Sequence, residues 1–159
     1  MSTVLTTPTR TTTPRKRRSL GLLAVVLLAV TASACLPAEE QSFLDRTNRV
    51  RSSQGVRTLA EHGTLTAKAE AWAQHMASTG KLAHSNLSSN LGGLRYTTLG
   101  ENVGMAGGTK DPWLAIHNAF VKSPGHYANI VNPKYTHMGI GVAVDRNGTV
   151  WVAEVFAAL

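Results

Sequence analysis

The amino-acid sequence predicts an α+β domain whose small antiparallel sheet is covered by helices. Three observations point there. Apolar residues recur at helical spacing after residue 40, again after residue 64, and again after residue 111. Near the C-terminus the period changes, and Met138, Ile140, Val142 and Val144 alternate with Gly139, Gly141 and Ala143. A second apolar run, Val150 to Phe156, follows a turn at Asp145 to Gly148, so the two form a hairpin.

The N-terminus has a different character. Residues 1–18 are rich in Thr and Pro, contain no acid and end in Arg15, Lys16, Arg17 and Arg18; Leu20 to Val30 is then wholly apolar or small. A basic stretch followed by a short apolar run is the pattern of an export signal. The run falls short of the roughly 20 residues that cross a bilayer. Residues 1–34 are therefore assigned to a signal peptide, 35–40 to an acidic linker and 41–159 to the folded domain. Arg10 and the four clustered basic residues all lie in the signal segment and no acid does, so the formal net charge of +7 falls to +2 without it. The basic character that would suggest nucleic-acid binding is thereby lost.

Cys35, the chain's single cysteine, follows Ala32, Ser33 and Ala34. Small residues before a cysteine suit both ordinary signal cleavage and lipoprotein processing. A lone cysteine at that position favours an acylated Cys35 as lipid anchor, although Ala32 stands where leucine is usual. The expected location is extracytoplasmic, either secreted or held at the cell envelope.

Within the domain, Phe43, Thr47 and Val50 mark a first helix that ends at Gly55, with Glu39 and Glu40 near its start and Arg46, Arg49 and Arg51 towards its end, as the helix dipole favours. Leu65, Ala69, Trp72 and Met76 mark a second, stopped by Gly80. Asp111 and Pro112 open a third, a capping residue followed by proline at the first helical position, with Trp113, Ile116 and Phe120 on one face; Ser123-Pro124-Gly125 ends it. Asn86 to Gly108 is rich in Gly, Ser and Asn and reads as loops around a short strand near Val103. Within it, Gly104 to Lys110 lacks the Gly-Lys-Ser/Thr ending of a phosphate-binding loop and reads as a flexible loop. Trp72, Trp113 and Trp151 are taken as core.

Four ordered stretches carry a resemblance: FLDRTNRVRSSQGVRTL, LTAKAEAWAQHMASTGKLAHS, GENV at Gly100 to Val103, and SPGHYANIVNPKYTHMGIGVAV, with WVAEVF closing the chain. Over the whole mature domain they resemble the bacterial branch of the CAP superfamily, the cysteine-rich secretory, antigen 5 and pathogenesis-related proteins. The resemblance implies an α-β-α sandwich and a cavity lined by two histidines and two acids. Carried over by motif, these are His84, Glu101 and His126. The second acid is absent, for its helix offers Ser123, and Asp111 lies too far along.

Sequence spacing alone does not make a metal site of His84 and His126; the resemblance brings them together. So assembled, His84, His126 and Glu101 would suit zinc or a similar divalent ion. The alternative is a hydrogen-bonded structural cluster. His62, His75, His117 and His137 are read as boundary or core histidines. The leading function is a non-catalytic binding module for a lipid or other cell-envelope ligand, monomeric and attached to the membrane through Cys35. The alternatives are a metal-dependent hydrolase of peptide, ester or cell-wall substrates, with Glu101 as general base, and a surface interaction protein whose cavity is purely structural.

Overall fold

In chain order the computed structural model, which describes residues 38–159, runs α1 (Ala38–Ser53), β1 (Ala60–Glu61), α2 (Gly63–Thr79), β2 (Thr98–Ala106), α3 (Pro112–Lys122), α4 (Pro124–Ile130), β3 (His137–Val144) and β4 (Val150–Ala158). The signal segment and Cys35 lie outside the described residues. The strands form one sheet in the order β1-β3-β4-β2. β3, β4 and β2 are antiparallel neighbours, whereas the short β1 pairs parallel to β3, so the sheet is mixed at that edge.

β4 is the centre of the molecule. Its nine residues are all buried, because layers of helix cover both faces of the sheet. Trp151, Ala153, Val155 and Ala157 join a core with Leu65, Ala69 and Met76 of α2. Val150, Val152, Phe156 and Ala158 point the other way, into a core with Phe43 and Leu44 of α1, Ile116 and Phe120 of α3 and Ile130 of α4. The result is an α-β-α sandwich.

The alternation of bulky and bare residues in β3 explains how close α2 can come. Met138 and Ile140 fill the α1/α3/α4 side. On the other side, a Cβ added at Gly139 would collide with the backbone at Leu65 and Thr66, and one at Gly141 with the backbone at Ala69 and Glu70. Helix and strand are thus in backbone contact, which side chains at those two positions would forbid. α2 ends as predicted, with Gly80 left-handed (φ 64°) and its N–H donating to Met76 O.

The remaining helices follow their caps. The Asp111 side chain accepts from Leu114 N at 2.9 Å, and Pro112 opens α3. Arg51, at the end of α1, is fully buried and donates to four carbonyls: Arg57 O, Ile130 O, Asn132 O and Tyr135 O. A buried guanidinium is tolerable only when its donors are met. Here they clip α1 to the α4–β3 connection.

Four expectations are corrected. Ala38 to Glu40, assigned to the linker, form the first turn of α1, where the exposed Glu39 complements the N-terminal dipole while burial pushes the pKa of Glu40 up to about 7. β2 is a full strand paired along its length with β4, from Thr98↔Ala158 to Ala106↔Val150, and absorbs Gly104 to Ala106 of the expected loop. Pro124 does not merely stop α3; it opens the separate helix α4. Of the three tryptophans only Trp151 is fully in the core, while Trp72 and Trp113 are half-buried at its edges.

The contact between α2 and β3 predicts that Gly141→Ala lowers stability by about 3 kcal/mol or more, the upper end of overpacking costs, because the obstacle is helix backbone and not a movable side chain. Thermal unfolding of the variant checks this.

Candidate functional site

His84 lies in the loop after α2, Glu101 on β2 and His126 in the first turn of α4. The loop is anchored just before His84, where the Trp72 indole donates to Ala83 O at 2.8 Å. Glu101 Oε1 then accepts both His84 Nδ1 at 2.8 Å and Ser85 N at 2.8 Å. The pair is asymmetric: the His84 side chain is 62% exposed and that of Glu101 1%. A buried carboxylate thus faces Nδ1, an arrangement that favours the tautomer carrying its proton on that nitrogen and turns Nε2 outward. Glu101 Oε2 is buried and has no partner.

His126 stands nearby against the Phe120 ring, with centroids 4.9 Å apart. Burial, and secondarily the charge of His84, hold its pKa below the ordinary histidine value. It is positioned through its backbone. Asn102 Nδ2 donates to His126 O at 3.2 Å and to Glu154 Oε2 at 3.0 Å, while Asn102 Oδ1 accepts from Asn129 Nδ2 at 2.9 Å. Asn129 Nδ2 also reaches Glu101 O at 3.1 Å. On the far side, Thr47 Oγ1 donates to Glu154 Oε1 at 3.3 Å. This polar seam joins α1, β4, β2 and α4 directly beneath the two motif residues Glu101 and His126.

Against this geometry a three-ligand metal site is not preassembled. Among the described residues no group of three or more His, Cys, Asp or Glu stands within metal-holding reach. Glu101 turns one oxygen to His84, as a carboxylate that orients a histidine does. Ser123 and His126 line an apolar groove of about 270 Å³ that is walled otherwise by Leu82, Val103, Met105, Ile116 and Phe120. Asp111 is spent on capping α3.

The sandwich with its paired His84 and Glu101 defines the class of protein. Residues 44–155 match the family described as Cysteine-rich secretory protein family, CAP, and the chain belongs to it. A Bacillus subtilis protein, YkwD, described as uncharacterized, is 31% identical over 130 residues, covering 77% of this chain and 49% of the relative. An extracellular Bacillus anthracis protein containing an SCP domain superposes with a TM-score of 0.65 at 20% identity, over 76% of this chain and 40% of that one. An outer surface protein of Borrelia burgdorferi gives 0.64 at 14% identity, over 75% of this chain and 91% of that one. The chain thus spans about half the length of the Bacillus subtilis relative and less of the Bacillus anthracis protein.

Glu154, Asn102 and Asn129 were not singled out in the sequence. Glu154 offered one signal, a lone acid inside the apolar run VWVAEVF. Burial pushes its pKa up to about 7, against the opposing hydrogen bonds from Asn102 and Thr47. With the folded value above the unfolded one, the folded state keeps a proton that the unfolded chain has lost. The stabilisation is therefore full below the unfolded value of 4.5 and is lost as pH rises towards 7, on the order of 3 kcal/mol in all. Glu154→Gln reproduces the protonated form, whose amide can donate to Thr47 and accept from Asn102. The variant is expected to melt roughly 5 °C or more above wild type at alkaline pH and level with it near the unfolded carboxylate value. Paired calorimetric scans across that range check the difference.

Proposed function

We propose that this chain is an extracytoplasmic binding module whose groove beside His126 takes the apolar part of a lipid or similar envelope ligand. The observation that carries the reading is the groove itself. Its walls are aliphatic and aromatic, its lining residues Leu82 and Met105 are 49% and 45% exposed, and the His126 imidazole is part of the same lining. A volume of about 270 Å³ is below the roughly 300–1,000 Å³ of sites that engulf a drug-sized ligand, so an acyl segment would enter while a polar head stays near His84. Each buried methylene would contribute about 0.8 kcal/mol. Acylation of Cys35 would hold this groove at a membrane surface, and the extracellular and outer-surface character of the structural neighbours agrees with an extracytoplasmic place.

A second reading, hydrolysis, is favoured by the His84–Glu101 pair. It reverses the expected roles: Glu101, buried and turned to Nδ1, would orient the ring, and His84 would act as base through its exposed Nε2. It ranks second because, among the described residues, no further carboxylate lines the groove to protonate a leaving group. A zinc-like ion, if bound, would be held by His84 and His126 and would supply Lewis acidity.

Titration calorimetry of the full chain with a long-chain fatty acid, in wild type and Ala119→Phe, tests the reading. Ala119 is exposed on α3 and lines the groove, so the ring fills it without disturbing the core. Binding is expected in the wild type and at least about tenfold weaker in the variant, from the loss of two buried methylenes or more. Equal binding refutes the groove. Zinc titrated at about pH 7.5 and about pH 5 should bind more weakly at the lower pH, since protonating His126, whose pKa burial holds below the ordinary histidine value, removes a ligand. Chelator-sensitive turnover would instead promote the hydrolase.

A further inference from the structure

A second cleft, of about 620 Å³, lies between α2 and the loop from Ser85 to Asn90, separate from the groove at His126. Besides Ala67 and Ala71, its lining residues are of three kinds. One wall is aromatic: Trp72 and His75 stack with centroids 4.6 Å apart and planes 20° from parallel. The indole is fixed by its bond to Ala83 O, so the surface it presents is rigid. The facing wall is hydroxyl and amide, from Ser85, Ser89 and Asn90.

The third kind is a buried cation. Lys68 lines the cleft and is only 6% exposed. Its Nζ donates to Asn86 O at 2.8 Å and Ser89 O at 3.0 Å, which uses two of an ammonium's three N–H groups. Among the described residues no carboxylate lies within ion-pair distance of it. Glu101 acts on it only from farther away, and burial disfavours its charge. A buried ammonium whose counter-charge lies beyond ion-pair distance costs stability. Two carbonyls would serve as well with a neutral donor, so tying down the loop does not account for the charge. Ser85 adds a second unmet group, for its Oγ is buried without a hydrogen-bond partner.

We propose that this cleft binds a carboxylate-bearing sugar, one unit of an acidic glycan. The Trp72–His75 stack would offer the outer ring face it leaves uncovered to a pyranose face, the hydroxyl and amide wall would meet the ring's hydroxyls, and the carboxylate would take the third N–H of Lys68. Ser85 N holds Glu101 while Ser85 itself lines the cleft, so glycan binding and the His84–Glu101 pair share one turn of chain.

The test follows backbone amide resonances of the full chain titrated separately with glucuronic acid, glucose and acetate. Glucuronic acid should shift the amides of Trp72, Ser85, Ser89 and Asn90 saturably. Glucose should bind at least about tenfold more weakly, the value of one charge-assisted hydrogen bond, and acetate, lacking the ring, more weakly than glucuronic acid. Lys68→Gln should bring glucuronic acid and glucose level. Ala71→Leu, at an exposed helix position lining the cleft, should abolish both and leave the fold intact, so the proposal stays testable if Lys68→Gln unfolds. Absence of saturable shifts with glucuronic acid, glucose or acetate matching it in the wild type, or undiminished binding in Ala71→Leu, would each overturn the proposal.

Discussion

Asn102 is the residue on which the site's geometry depends. It is fully buried, it stands opposite Glu154 in the β2–β4 ladder, and its one amide bonds to His126 O, to Glu154 and to Asn129. A buried amide deprived of such partners costs about 1–3 kcal/mol, so β2, β4 and α4 have little freedom to move apart. Glu101, the preceding residue, accepts from Asn129 through its backbone and points its side chain to His84. One strand pair thus fixes both motif histidines, His84 through a side chain and His126 through its main chain.

The two faces of the sheet divide the labour. On one side α2 lies in backbone contact with β3 through Gly139 and Gly141, and from its C-terminal end the chain passes directly into the loop bearing His84. On the other side α1, α3 and α4 enclose the core that backs the apolar groove. His117 belongs to that second layer, packed on Phe43 with its pKa lowered to about 4 by burial and by Arg46 and Arg49, and it stays neutral in ordinary conditions. It is a core histidine, as its place on α3 suggested.

Periodicity made the helices and the hairpin legible, because each buries a stripe of its own residues: Leu65, Ala69 and Met76 on α2, Met138 and Ile140 on β3. Motif resemblance located His84, Glu101 and His126. What local pattern could not reveal were elements whose partners lie far along the chain. β2 carries Gly100 and Gly104 where the Tyr135 hydroxyl and the Phe120 ring press close, so its own residues look like a loop. α4 is too short at seven residues to show a stripe, and its Pro124 reads equally as a stop or a start. Glu154 passed unnoticed because a charged residue in an apolar strand declares neither its partners nor its protonation.

Both the apolar-ligand reading and its hydrolytic rival have Glu101 orient His84 through Nδ1 and leave Nε2 as the outward nitrogen. Imidazole 15N spectra of the full chain at neutral pH test it directly. The account predicts that His84 carries its proton on Nδ1, and that Glu101→Gln weakens that preference. A His84 ring protonated on Nε2 in the wild type, indifferent to Glu101→Gln, would contradict it.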